Sequence, residues 1–183
     1  MKKTVWTFGL ISGAIISGLM LAVIPFHDAI GFDRGLTVGY TTMVVAFLLI
    51  YFGIRSYRDN VGSGSIGFGR ALVVGSLIAV ISSLCYVATW ELIASRLMPD
   101  YMTKYRAYEI NKMIASGASQ AVIDQRAVEM RHFAELYKNP FVSAAMTLIE
   151  PLPVGLVIAL VSAAVLRKRR SEDDGASRVL APG

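Results

Sequence analysis

Two glutamates stand inside long apolar stretches, and they are the residues of this chain best placed to do chemistry. Glu91 follows Trp90 near the end of one stretch, and Glu150 lies within the first half of another. A charged carboxylate is costly in a low-dielectric surrounding, so it is expected to pair with another group, take up a proton or face water. The two carboxyl groups therefore define a candidate polar site, and their neighbours in space are expected to decide its role.

Two prolines follow Glu150 in the sequence Glu-Pro-Leu-Pro at 150–153. A proline has no amide hydrogen, so the carbonyls of Thr147 and Ile149 are expected to lose their helical partners, and the helix is expected to kink. Free carbonyl oxygens beside a carboxylate resemble the oxygen-lined sites of transporters. The candidate intramembrane site consists of Glu91, Thr147, Glu150, Pro151 and Pro153.

Two interpretations of this site remain open at the level of sequence. In the first, the carboxyl groups lie near the membrane interface, where Ser or Tyr hydroxyls, Arg96 or Lys104 partner them. In the second, they bind or conduct a proton or a cation.

Four apolar stretches carry these residues, at about 4–25, 36–54, 68–95 and 141–166. A helix of roughly 20 apolar residues matches the ~30 Å hydrocarbon core of a bilayer. The sequence therefore predicts an all-α, four-helix transmembrane bundle. At 183 residues and 55% hydrophobic composition, one membrane domain over 1–170 is expected, with a disordered cytoplasmic tail at 171–183.

Basic residues favour one orientation of this bundle. Lys2 and Lys3 precede the first stretch, Arg55 and Arg58 follow the second, and a basic run at 167–170 follows the fourth. Short loops rich in Lys and Arg stay in the cytoplasm, so both termini are expected there and the first helix is expected to stay uncleaved. The net charge of +5 then reflects topology, and a nucleic-acid partner is not expected.

The long segment between the third and fourth stretches, 99–139, predicts an extracytoplasmic helical hairpin. Tyr101, Tyr105 and Tyr108 recur at helical spacing in its first half, and Gly117 interrupts the pattern. A tyrosine stripe beside a membrane is typical of an interfacial belt, and the alternative is a face that binds a ligand or a partner protein.

Small residues repeat every four positions in three of the stretches, which lets helix backbones approach closely in lipid. The three stripes are Gly9, Gly13 and Ser17; Gly75, Ala79 and Ser83; and Gly155, Ala159 and Ala163. Two further steps along the second stripe reach Glu91, so this carboxyl group is expected to face protein. A compact bundle follows, and a homo-oligomer or a membrane-protein partner is possible.

Motifs for catalysis or metal binding are not found. His132 and Glu135 could converge with His27 and Asp28 only through tertiary structure, and Cys85 is a lone cysteine inside the third stretch. We therefore expect no catalytic residues, no metal, no cofactor and no enzymatic activity.

The four-stretch layout and two short patches together resemble a known family. The patches are Trp-Glu at 90–91 with Met-Pro-Asp-Tyr at 98–101 and Lys-Tyr at 104–105, and Glu-Pro-Leu-Pro-Val-Gly-Leu at 150–156. This pattern resembles the bacterial membrane family catalogued as domain of unknown function 4199, over about residues 1–170. The resemblance implies a bacterial inner-membrane location and no particular chemistry.

The sequence thus favours a multi-pass inner-membrane protein that is a non-enzymatic envelope or interaction component. The alternative is a small proton- or cation-coupled transporter or channel that uses Glu91 and Glu150.

Overall fold

The protein, seen in a computed structural model that describes residues 1–168, is built from helices, as predicted. The predicted tail at 171–183 lies outside the described residues. A 3₁₀ turn, Ile24–Phe26, joins the first two α-helices, and a π-helical turn, Ile93–Leu97, extends the third. The α-helices are α1 Lys2–Val23, α2 His27–Asn60, α3 Phe68–Leu92, α4 Tyr101–Ala115, α5 Gln120–Tyr137, α6 Pro140–Leu148 and α7 Pro151–Leu166.

Three helical segments are long and apolar enough to cross a membrane. They are Lys2–Asn60 with 59 residues, Phe68–Leu97 with 30 residues and Pro140–Leu166 with 27 residues. The first of them contains both α1 and α2, so the predicted loop at 26–35 is largely helical. At 1.5 Å per residue, about 20 residues suffice for one crossing, and this segment is far longer than that.

The longest segment folds back on itself. Gly31 has φ +70° and ψ 166°, values outside the helical region, and it breaks α2 near its start. Beyond this break α2 packs against α1: the Ser12 hydroxyl donates a 2.9 Å hydrogen bond to the carbonyl oxygen of Ala46, and Gly53 lies against Phe8. Glycine suits position 31 because it adopts a positive φ without steric cost.

Helix α3 is the centre of the bundle, with α1 on one face and α7 on the other. On the α1 side, Gly9 faces Ile81 and Gly13 faces Cys85, so closely that a Cβ atom on either glycine would come within 2.8 Å of the opposite side chain. On the α7 side, a Cβ atom on Gly75 would lie 2.9 Å from that of Ala159. The prediction that the small-residue stripes pack helices together is confirmed.

The outward faces of these helices are apolar. Leu10, Leu48, Leu84 and Leu160 are each about half exposed in the isolated chain. A water-soluble protein seldom exposes so much contiguous apolar surface. This surface is compatible with a surrounding of lipid chains.

Helices α4 and α5 form the predicted hairpin, and they pack against each other over the end of the bundle where α3 ends and α6 begins. Gly117, with φ +76°, lies in the turn between them. One stripe of α5 faces inward, with Ile123 and Met130 buried. The hairpin therefore covers one end of the bundle.

We expect Gly75→Leu to destabilise the protein because a side chain there must displace Ile54 and Ala159. Overpacking of this kind costs roughly 1–3 kcal/mol and is expected to lower the Tm in detergent. Gly18→Leu is the matched control, since Gly18 has no atom within 4 Å of an added Cβ. Equal melting temperatures for the two variants would contradict the close approach of α3 and α7.

Candidate binding site

Glu150 lies at the junction of α6 and α7, where it contacts the central helix. The hydroxyl of Tyr86 on α3 donates a 2.9 Å hydrogen bond to Glu150 Oε2. Tyr86 is buried and Glu150 is half-buried. A tyrosine hydroxyl therefore partners this carboxyl group, as the first of the two interpretations expects.

The helix is interrupted at this junction, as the prolines predict. The amide of Ile149 donates to the carbonyl of Met146 at 3.2 Å, and the amide of Glu150 donates to the carbonyl of Thr147 at 3.3 Å. These are bonds across three residues, which tighten the last turn of a helix. The expectation that the Thr147 carbonyl is free is therefore wrong, because the local tightening supplies another donor. Pro151 is buried and Pro153 is exposed.

Glu91 has a separate partner on the same pair of helices. The buried Ser143 hydroxyl on α6 donates a 2.5 Å hydrogen bond to Glu91 Oε1. Within residues 1–168, no hydrogen bond joins Glu91 to Glu150. Glu150 is bonded to Tyr86 and Glu91 to Ser143, and Tyr86 and Glu91 are about 7.5 Å apart along the axis of α3. The two carboxyl groups occupy successive levels of one interface.

Thr147 contributes its side chain to the same region. Its hydroxyl and that of Tyr137 on α5 are 2.8 Å apart and share a hydrogen bond. Thr147 is buried, so this bond satisfies a polar group inside the protein. It also joins the hairpin to α6.

A cavity of about 310 Å³ lies between the bundle and the hairpin, with Glu150 and Thr147 in its wall. This is at the lower end of the size range of small-molecule sites. The walls are mainly apolar and aromatic. Aromatic members are Phe32, Tyr86, Trp90, Tyr101, Tyr105, Phe133 and Tyr137, and apolar members include Met20, Val23, Leu36, Val38, Ile93, Met98 and Met102.

Two nitrogen atoms of cavity residues are buried without a hydrogen bond. They are Trp90 Nε1 and His27 Nδ1, and the nearest carboxylate to the latter, that of Asp28, is 3.5 Å away. Such groups are rare in folded proteins and often mark a place for water or a ligand. The cavity could not be found from the sequence, because its lining comes from six helices and the turns between them.

The tyrosine stripe of α4 faces inward, around Phe32 of α2. The centroid of the Phe32 ring is 5.7 Å from that of Tyr101, 5.6 Å from that of Tyr105 and 5.0 Å from that of Tyr108. Tyr101 also meets Trp90 edge-on at 5.0 Å, and burial raises the pKa of the Tyr101 phenol to about 12. These rings pack on protein and two of them line the cavity, instead of forming an isolated surface belt.

An ion pair joins the hairpin to the start of α2. Lys112 Nζ lies 2.6 Å from Asp33 Oδ1 and also donates to the Tyr108 hydroxyl at 3.2 Å. The hydrogen bond from Lys112 holds the pKa of Asp33 below its ordinary value, and the same bond raises the pKa of Lys112. Both side chains are well exposed, so the pair orients α4 more than it stabilises the fold.

The four residues considered for a metal do not assemble. His27 lies beside Asp28 at the cavity edge, whereas His132 is exposed on α5 and Glu135 pairs with Lys138 at 2.8 Å. Over residues 1–168, no group of three or more His, Cys, Asp or Glu side chains could hold a metal ion.

Comparison with known proteins supports the resemblance of the sequence patches. A family model described as "Protein of unknown function (DUF4199)" matches residues 7–168. No curated protein and no solved structure matches the chain.

We expect Asp33→Asn to loosen α4, measured as lower hydrogen-exchange protection over 101–115 with an unchanged Tm. Because the pKa of Asp33 is lowered, its contribution is present above its ordinary value of 3.8 and is lost as the pH falls through the lower folded value. The pKa of Lys112 is raised, so its contribution is fully present below its ordinary value of 10.5 and is lost as the pH rises through the higher folded value. The exchanged pair Asp33→Lys with Lys112→Asp should restore protection, and an unprotected hairpin in that variant would contradict the role of the pair.

Proposed function

The chain belongs to the DUF4199 family, and on that premise we propose that it is a non-enzymatic inner-membrane protein of the bacterial envelope whose cavity binds a small molecule. The observation that carries this proposal is the cavity itself. It is lined by aromatic and apolar side chains, one carboxyl group lies in its wall, and two buried nitrogens of its lining residues make no hydrogen bond. Pockets of this composition are the usual sites of small-molecule binding.

We propose further that the chain crosses the membrane four times, with both termini in the cytoplasm. The reversal within Lys2–Asn60 supports two crossings by that segment. The loop before α3 and the end of α7 lie side by side, since Ile66 and Lys168 exchange two backbone hydrogen bonds of 3.0 Å. Together with the basic residues there, this supports a cytoplasmic position for that end and an outer position for the hairpin.

A second candidate function is a proton- or cation-coupled transporter or channel. The observation that favours it is the interrupted helix at Glu150, since broken helices beside a carboxyl group are common at transport sites. Glu91 then forms a second polar position, about 7.5 Å along α3 from Tyr86, the partner of Glu150.

The binding proposal is tested with small aromatic probes and the fluorescence of Trp90. The chain has two tryptophans, and Trp6→Phe leaves Trp90 in the cavity wall as the reporter. Benzyltrimethylammonium, neopentylbenzene and phenylacetate cover a cation, a neutral molecule and an anion of similar size. We expect saturable binding of at least one probe in lipid nanodiscs.

A variant with a larger side chain in the cavity wall provides the control for this experiment. Gly39 lines the cavity, and nothing lies within 4 Å of an added Cβ. We therefore expect Gly39→Leu to weaken the binding by about tenfold or more. Gly18→Leu, in a position away from the cavity, should bind as the parent does. Binding of none of the three probes, or equal binding by both variants, would refute the proposed function.

The second candidate is tested by flux. If it holds, purified protein in proteoliposomes should support a pH-dependent cation flux that Glu150→Gln abolishes and Glu91→Gln reduces. Glu135→Gln, on the exposed face of α5, is the control for loss of a carboxylate. Flux that survives Glu150→Gln, or no flux in the parent, would remove this candidate.

A further inference from the structure

We infer that the ligand of the cavity is an organic ammonium cation with apolar substituents, bound through Glu150 and the surrounding aromatic rings. This inference rests on the proposed binding function and specifies its chemical class. It concerns a binding site and requires no reaction.

Charge is the first reason. Among the described residues that line the cavity, Glu150 supplies the one carboxyl group, and none is a lysine or an arginine. The one histidine of the lining, His27, has its Nδ1 3.5 Å from the carboxylate of Asp28. Tyr86 donates one hydrogen bond to Glu150 Oε2, whereas a carboxylate has about four acceptor positions. The carboxyl group of Glu150 therefore keeps free acceptor positions, and no lysine or arginine of the described lining pairs with it. An ammonium ligand would supply the missing charge, and an anionic ligand would be repelled.

The aromatic walls are the second reason. The face of an aromatic ring carries negative electrostatic potential, so cages of Trp and Tyr side chains bind alkylammonium groups. Tyr86 places a phenol ring directly beside Glu150, and Trp90 follows one helical turn later. Tyr101 closes the same wall from the hairpin, with its ring 5.0 Å from that of Trp90. The carboxyl group and the rings thus favour the same kind of ligand.

The apolar side chains of the cavity wall favour apolar substituents on the ammonium group. Met20, Leu36, Ile93 and Met102 provide flexible and branched apolar contacts around the polar end. Methionine adapts to ligands of different outline, and apolar groups gain free energy by leaving water. The cavity of about 310 Å³ limits the ligand to a small one. A small inorganic cation would leave most of this wall unused.

The ammonium group could come from a free solute or from the headgroup of an aminophospholipid. The two sources share the chemistry that Glu150 and the rings recognise. A phospholipid also carries a phosphate, and the described lining offers no lysine or arginine to receive it. We therefore favour the free cation, and a lipid arm of the experiment distinguishes the two.

The test compares benzyltrimethylammonium with neopentylbenzene, its neutral isostere, in which carbon replaces nitrogen. Binding is followed by Trp90 fluorescence in the full chain carrying Trp6→Phe, in phosphatidylglycerol nanodiscs at matched free probe concentrations. We expect the cation to bind about tenfold or more tightly than the neutral probe. Glu150→Gln should remove that preference: the affinity for the cation should fall, and the affinity for the neutral probe should stay within about twofold of the parent's.

Glu135→Gln is the matched loss of a carboxylate and should leave the preference intact. Equal binding of the two probes, or binding of phenylacetate alone, would overturn the ammonium class while the binding function stands. Binding of none of the three probes would overturn both. The isostere comparison needs no change at Glu150, so it remains decisive if Glu150→Gln does not fold. If added phosphatidylethanolamine competes with the cationic probe, the natural ammonium group belongs to a lipid headgroup. If it does not compete, the ammonium group belongs to a free solute.

Discussion

The close approach of α3 to α7 is the constraint on which the rest of this structure depends. Lipid chains are as apolar as leucine, so helices in a bilayer gain little by burying apolar side chains and associate mainly through tight van der Waals contact. Gly75 against Ala159 and Ala79 against Gly155 allow that contact. A larger side chain at any of these positions would separate the helices and remove the surface that holds them together.

The same contact fixes the partners of both carboxyl groups. From the pair of Gly75 and Ala159, the antiparallel register continues to Tyr86 with Glu150 and then to Glu91 with Ser143. One alignment therefore satisfies the packing and the hydrogen bonds together. A slip by one helical turn would leave two half-buried carboxyl groups without their hydroxyl donors, which is costly. The polar pairs thus contribute to the choice of register more than to its overall stability.

Much of the helical framework follows from the sequence, because apolar length and small-residue spacing are local properties. The hairpin was predicted over 99–139 and its helices run from Tyr101 to Tyr137. The helical character of 27–35 was not predicted, since Gly31 accommodates a break that composition alone does not reveal. The partners of Glu91 and Glu150 and the cavity depend on how separate helices align, which spacing within one helix cannot specify.

The position of the hairpin bears on the role of the Glu150 carboxyl group, which lies beneath it. Without a cover, Glu150 at the end of a bundle would meet headgroups and water, and an interfacial role would account for it fully. Tyr101 of the hairpin instead packs on Phe32 and Trp90 of the bundle in the cavity wall, and the Tyr137 and Thr147 hydroxyls join the hairpin to the helix that leads to Glu150. Partial burial of Glu150 beside these rings lowers the local dielectric and strengthens a charge interaction at its carboxyl group. A group that served only to anchor the helix end in the interface would gain nothing from this cover, whereas a group that recognises a ligand would.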